Sequence, residues 1–371
     1  MADMVAAMGD AEFAAWLRLL ETPGLGRGAA RKLLNALGSP EAVLGASPET
    51  WARVAGAKVA LALREPPPRF AERCAAAQAW RHTSSQHHVL VLGDSAFPAS
   101  LLQTADPPLL LYVNGDPTYL SNASIAIVGS RQATPQGCEN ARAFAKALGD
   151  SGYCIVSGLA QGIDAAAHEG GLASPAGTMA VVGTGLDQVY PPRHRELAAR
   201  IAAHGALVSE YAPGTPALPE HFPQRNRIIA GMSLGTLVVE AALRSGSLIT
   251  ARLANESGRE VYAIPGSIHA PHARGCHALI KQGAKLVESA LDILEELQGA
   301  APRQAAQVAH TPLPSDDPLL DAMGTDAVTL DALLARTGWP TAELNARLLE
   351  LELSGLVTRL PGGLFQRRFA G

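Results

Sequence analysis

Five short apolar runs, each stopped by glycine or by a small or polar residue, constrain this chain more than any other feature in it. They are residues 125–128 before Gly129-Ser130-Arg131, 154–156 before Ser157-Gly158, 179–182 before Gly183-Thr184-Gly185, 237–239 before Glu240, and 261–264 before Pro265-Gly266. A strand buried on both faces of a parallel sheet reads as such a continuous run. Further strands are expected at 88–92, 109–113 and 206–209. Helical periodicity fills the gaps over 135–149, 163–171, 193–204, 223–231, 247–257, 275–282 and 289–298. Such alternation predicts right-handed crossovers and an α/β fold with a doubly wound parallel sheet. Loops that follow parallel strands gather at one edge, where ligands bind. The glycine-rich loops are therefore expected to hold something phosphorylated along that edge.

A chain of 371 residues exceeds one compact core and points to two or three domains. With 47% hydrophobic and 17% charged residues it is globular rather than disordered. A net charge of −4 excludes a protein coated in positive charge, so any nucleic-acid contact must come from a local patch. Cys74, Cys138, Cys154 and Cys276 lack CxxC spacing and read as reduced thiols rather than a disulfide framework or zinc site. Residues 1–10 lack a basic segment followed by an apolar core, and no apolar run is long enough to span a membrane. A cytoplasmic protein is the expectation.

The composition divides the chain into a helical module over 1–80, a glycine-rich α/β domain over 81–298, a linker over 299–317 and a terminal unit over 318–371. Thr22-Pro-Gly24-Leu-Gly26-Arg-Gly28 between two helical runs resembles a helix-hairpin-helix, whose second helix can face phosphate. A plain helical turn with glycines at its caps fits as well. Pro66-Pro-Pro68 marks the boundary that follows. The linker is rich in Ala, Pro, Gln and Ser. Beyond it, helices at 318–323, 329–336 and 341–354 and a hairpin over 356–366 describe a winged helix. Its third helix sets Glu343, Glu350 and Glu352 against Arg347, a poor face for a phosphate backbone.

Several motifs carry chemistry. Gly129-Ser130-Arg131 combines close backbone approach, a hydroxyl and a planar guanidinium fork suited to phosphate. In the loop from Ser157 through Gly158 and Gly162, Asp164 and His168 fall on one helical face, as an acid–base pair or, more simply, a structural one. Gly183-Thr-Gly185 lacks the third glycine of a dinucleotide fingerprint, and no cofactor is expected. Tyr190-Pro-Pro-Arg193-His-Arg195 opens a helix with two arginines. Phe222-Pro-Gln-Arg225-Asn226-Arg227 sets an aromatic and two arginines at a helix start, suited to stacking a base and pairing phosphate. The same residues also suit a core position for Phe222 and an ion pair of Arg225 with Glu240 or Glu210. Ser247 and Thr250 offer hydroxyls in a first helical turn, with Arg252 nearby. No catalytic serine is expected, for want of a sequence-local base. The histidines lack metal-ligand spacing.

Taken in order, GSR at 129–131, SGLAQGID at 157–164, VVGTGLDQVYP at 182–191, FPQRNRIIAGMS at 222–233, VVEAALRSGSLITARLANESGREVYAIPG at 238–266 and IKQGAKLV at 280–287 closely resemble the DprA/Smf family of bacterial DNA-processing proteins. The resemblance implies an extended Rossmann-like domain, flanked by a small helical SAM-like or helix-hairpin-helix-like domain and a winged helix. It implies binding of single-stranded DNA without sequence preference, loading of the RecA recombinase during natural transformation, and a homodimer. It implies no catalysis and no cofactor. Carried over by motif, Gly129, Ser130, Arg131, Arg225, Asn226 and Arg227 line the DNA groove and Phe222 stacks on a base. Gly158, Gly162, Gly183, Gly185, Arg193, Ser247, Thr250 and Arg252 complete the expected DNA edge. Two departures stand out: Pro192 where the family often has a basic residue, and His277 where it usually has asparagine. The competing reading is an enzyme that hydrolyses the glycosidic bond of nucleoside monophosphates, with Glu240 as its carboxylate.

Overall fold

The structure is a computed structural model that describes residues 8–299, 317–323, 328–330, 333, 337, 339–354, 356–360 and 364–367. The described residues up to 299 form one compact unit, and those from 317 onward form a second. The expected linker falls mostly outside them.

Among the described residues, the first unit is built on one nine-stranded sheet in the order β1-β2-β6-β5-β4-β3-β7-β8-β9. The strands are β1 (His87–Val91), β2 (Leu110–Gly115), β3 (Ser124–Val128), β4 (Cys154–Ser157), β5 (Thr178–Val182), β6 (Gly205–Ser209), β7 (Gly235–Val238), β8 (Glu260–Ala263) and β9 (Lys285–Leu286). From β6 to β9 all neighbours are parallel, as the uninterrupted apolar runs require. β1 and β2 extend the sheet antiparallel. The chain winds outward one way through β3, β4, β5 and β6, and the other way through β7, β8 and β9. The reversal lies between β3 and β7, the switch point where open α/β sheets bind ligands.

Both faces are covered. Ile125 and Ile127 of β3 point to one side, against α8 (Pro135–Asp150), α9 (Ile163–Leu172) and α14 (Ala290–Gly299). Ala126 and Val128 point to the other, against α11 (His221–Met232), α12 (Ser247–Glu256) and α13 (Arg274–Lys281). This is the period-two alternation of a strand. The short α7 (Ala99–Leu102) joins the second layer, and α10 (Arg195–Ala203) packs with Ala180, Val182 and Leu207.

The N-terminal helices are α1 (Asp10–Glu21), α2 (Arg27–Leu37), α3 (Pro40–Gly45), α4 (Pro48–Ala55), α5 (Ala57–Leu63) and α6 (Phe70–Thr83). They share a core with the sheet. Tyr112 of β2 is fully buried, edge-on to Phe13 at 6.4 Å and to Trp80 at 5.9 Å. Arg27 and Arg31 at the start of α2 bond Asp106, at 2.7 and 2.9 Å. The arginine side chains at this helix start are thus paired with a carboxylate of their own chain.

The second unit holds α15 (Pro318–Met323), β10 (Val328–Thr329), α16 (Thr341–Leu353), β11 (Val357–Leu360) and β12 (Leu364–Arg367). β10 and β11 flank β12, the sheet of a winged helix. Most of the helix expected over 329–336, and the Pro361-Gly-Gly turn, lie outside the described residues. Among the described residues, no helix is long and apolar enough to cross a membrane.

Candidate nucleic-acid interface

Three loops meet at the β3/β7 switch point. The Ser130 amide donates to the Glu240 carbonyl at 2.7 Å, and the Ile163 amide donates to the Ser130 carbonyl at 3.2 Å. The loop after β3 is thereby tied to the end of β7 and to the start of α9. Gly129 is needed for this closure, since a Cβ there would meet Ile163 and the Glu240 carbonyl. Gly129 also lines the cavity described below. Glu240 braces the N-cap of α8: its carboxylate accepts the Thr134 amide at 2.9 Å and the Thr134 hydroxyl at 2.5 Å, and that hydroxyl accepts the Gly137 amide. Gly137 leaves the room that the Glu240 side chain occupies.

The loop after β4 is held amide by amide. Asp164 accepts from Gly158 at 3.2 Å and from Ala160 at 3.3 Å, and His168 Nε2 accepts from Leu159 at 3.3 Å. Leu159 has a φ of 58°, which costs energy for a branched side chain and explains so dense a set of supports. His168 Nδ1 lies 2.7 Å from the Thr178 hydroxyl, which donates to Ile155. That arrangement makes Nδ1 the protonated nitrogen, and burial pushes the His168 pKa down to about 3. Asp164 and His168 therefore do not pair with each other; each holds the loop separately.

Around these loops lies an open cavity of about 730 Å³. Its walls come from the β3 loop (Gly129, Ser130, Arg131), from α11 (Phe222, Arg225, Asn226) and from the start of α12 (Ser245, Ser247, Thr250). Arg131 lies over the Phe222 ring, 5.5 Å from its centroid, and Tyr190 leans on the same ring at 5.3 Å. Tyr190 is 48% exposed. Arg131 and Arg244 are exposed and line the cavity, and among the described residues neither has a carboxylate partner. Arg244 belongs to no short motif for phosphate, and only its place beside Ser245-Gly-Ser247 could have singled it out.

The other expected arginines have different fates. Arg225 is buried at the back of the cavity, donating to the Gly158 carbonyl at 2.5 Å and to that of Val181, with Asp164 at 3.9 Å. Burial lowers its pKa to about 10, against the pull of Asp164, while burial raises Asp164 against the pull of Arg225. The predicted partners Glu240 and Glu210 are thus replaced by Asp164. Arg227 points away from the cavity and pairs with Glu210, which also meets Arg27 at 3.5 Å. Arg252 lies on the far side of α12, 3.4 Å from Glu256. Two residues along a helix turn a side chain by about 200°, so Arg252 cannot share a wall with Thr250.

The remaining expected contacts also shift. Gly158 makes room for the Arg225 guanidinium, and Gly162, at φ 77°, sits against the Ser130 and Arg131 carbonyls. Gly183 packs under Phe222, and Gly185 against Asp187 and Ala212. Neither Gly183 nor Gly185 lines the cavity. Arg193 does not line it either; its neighbour Arg195 lines a separate hollow beyond Tyr190, together with Asp187.

Family models fix the relationship. Residues 88–298 match the DNA recombination-mediator protein A family, and residues 300–363 match the DprA winged helix domain. The chain belongs to the DprA/Smf family. It is 43% identical to protein Smf of Escherichia coli over 296 residues, covering 76% of this chain and 78% of that one. It is 46% identical to DNA processing protein DprA of Streptococcus pneumoniae over 205 residues, 55% of this chain and 72% of that one. The crystal structure of the pneumococcal DprA superimposes with a TM-score of 0.67 at 36% identity, over 78% of this chain and 98% of that one. DNA processing protein A of Helicobacter pylori, whose structure is described in terms of its single-stranded DNA binding mode, gives 0.53 at 28% identity, over 59% and 99%. Against the DprA/Smf pattern, the unusual His277 keeps a loop contact, with Nε2 3.0 Å from the Gly266 carbonyl.

Proposed function

We propose that this chain binds single-stranded DNA along the carboxyl edge of its sheet, with little sequence preference. It then delivers that DNA to the RecA recombinase during DNA uptake and recombination, and shields incoming strands from nucleases. In this reading it works in the cytoplasm as a homodimer through the sheet domain and catalyses no reaction. The observation that carries the DNA contact is the pair of exposed arginines without a salt-bridge partner among the described residues, Arg131 and Arg244, on a cavity at the switch point. Guanidinium groups without a carboxylate partner, beside hydroxyls from Ser130 and Ser247, suit phosphate oxygens, and the exposed Tyr190 with the half-buried Phe222 suits base stacking. Arg225, Gly158 and Gly162 build the wall behind these contacts. Membership of the DprA/Smf family and the DNA-binding relative from Helicobacter pylori support the same reading.

The nucleotide-hydrolase alternative needs a carboxylate free to act on a ribose. Both Glu240 oxygens are engaged by Thr134, and Asp164 is engaged by Gly158, Ala160 and Arg225. Gel shifts with single- and double-stranded DNA at two salt concentrations test the proposal. Preference for the single strand and a steep loss of binding with salt are expected. Tighter binding to duplex, or release of free base from nucleotides, would overturn it.

A further inference from the structure

Helix α16 of the winged-helix unit carries two apolar stripes and buries one. Leu344, Leu348 and Leu351 point into the core of the unit, together with Leu319, Val328 and Phe365. Ala342, Ala346, Leu349 and Leu353 recur at four-three-four spacing, so they share the opposite side of the helix. All of them are exposed, Leu349 to 56% and Leu353 to 81%. Single exposed leucines need no explanation. A row of apolar residues in helical register is different, because a helix with apolar stripes on two faces is built to be covered on both.

The spacing is that of a coiled-coil seam, with Ala342 and Leu349 at d positions and Ala346 and Leu353 at a positions. The flanking e and g positions hold Glu343, Glu350, Asn345 and Glu352, all exposed. Past the end of the helix, the exposed Leu356 borders a hollow of about 470 Å³ with Leu351 and Glu350, an opening for an anchoring side chain.

The charge pattern decides what can lie on this seam. Two copies of α16 placed seam to seam would set glutamates against glutamates, which is repulsive. No base at a flanking position relieves this, since Arg347 is turned to Asp317 and Glu350. Glu343 and Glu352 have no salt-bridge partner among the described residues. A phosphate backbone is disfavoured on the same ground. The complementary surface is a row of apolar side chains between two rows of positive charge.

We propose that the exposed face of α16 docks a basic amphipathic helix of another protein, with that helix's lysines or arginines opposite Glu343 and Glu352. The winged helix then recruits a protein rather than reading a DNA groove. This goes beyond the single-stranded DNA reading and does not depend on it.

The probe is a fluorescent peptide of about 20 residues with leucines at a and d and lysines at e and g, titrated into the full chain and followed by anisotropy. A scrambled peptide of the same composition is the control for charge alone. The substituted side chains are exposed, so the variants should melt with the wild type. L349A/L353A should weaken the ordered peptide by roughly ten-fold or more. E343K/E352K should weaken it by roughly ten-fold and bind a version with glutamate in place of lysine more tightly than wild type does. Failure of the wild-type chain to bind the ordered peptide, or equal binding of the scrambled one, would overturn the proposal. So would duplex DNA binding that L349A/L353A abolishes. Self-association by light scattering that L349A/L353A alone removes would assign the face to a second copy and overturn it too.

Discussion

Two pairs of arginines line up against each other in this molecule. Arg131 and Arg244 sit on loops leaving β3 and β7, exposed and without acidic partners. Arg225 and Arg227 sit on α11, and their charges are taken up by Asp164, Glu210 and backbone carbonyls. The residue type is the same and the four cluster around one switch point. What differs is whether the fold already supplies an anion. An arginine whose charge is satisfied at home holds a wall; one left unsatisfied beside a cavity is available to a phosphate. The winged-helix unit offers a third instance, since Arg347 is spent on Asp317 at 2.6 Å and Glu350 at 2.7 Å.

The largest effect that separates the two pairs should come from Arg225→Ala. Removing one member of a buried pair strands Asp164 and two carbonyls, at a cost of about 3 kcal/mol. Urea denaturation of the variant should show that loss. A variant as stable as wild type, with weakened DNA binding alone, would move Arg225 into the contact class and break the comparison.

Acid should probe the same wall. His168 is held neutral by burial, with a folded-state pKa of about 3, below the ordinary value of 6.5. A base with a depressed pKa contributes stability that is complete above its unfolded value and is lost as pH falls below it. Each unit crossed costs about 1.4 kcal/mol. Between pH 6.5 and pH 5, stability should therefore fall by roughly 2 kcal/mol in wild type and by less in His168→Gln. Parallel pH profiles for the two proteins would remove His168 as the cause.

A smaller effect is expected from Arg27→Ala, which breaks a partly exposed pair with Asp106 and the longer contact to Glu210. Thermal melts should register a loss of about 1 kcal/mol or less. Single-stranded DNA affinity should stay within about two-fold, since Arg27 faces Asp106 rather than the cavity. A large loss of affinity without a loss of stability would return the start of α2 to the phosphate role suggested by its glycines.

Much of this architecture is written locally. The apolar runs place the strands of the parallel core to within a residue or two, because burial on both faces demands uninterrupted apolar sequence. Lys285–Leu286 is not legible in the same way, because a two-residue strand carries no pattern. The site is legible as a set of loops but not as a set of partners. Arg225 bonds Gly158, 67 residues away, and nothing in the local sequence announces that partner. The burial of Arg225 and the pairing of Arg227 are decided by long-range packing, and so is the exposure of Arg244. The far-side position of Arg252 is readable in principle, from the angle between residues two apart on a helix.

The central claim is that Arg131 and Arg244 are the cations that meet the DNA backbone. The direct measurement is the dependence of single-stranded DNA affinity on salt for wild type, Arg131→Ala and Arg244→Ala. Removing one arginine–phosphate pair should reduce the slope of log K against log salt by about 0.7. The account expects both variants to bind more weakly and with a shallower slope, by roughly one phosphate each, with melting temperatures unchanged. Slopes identical to wild type in both variants would contradict it.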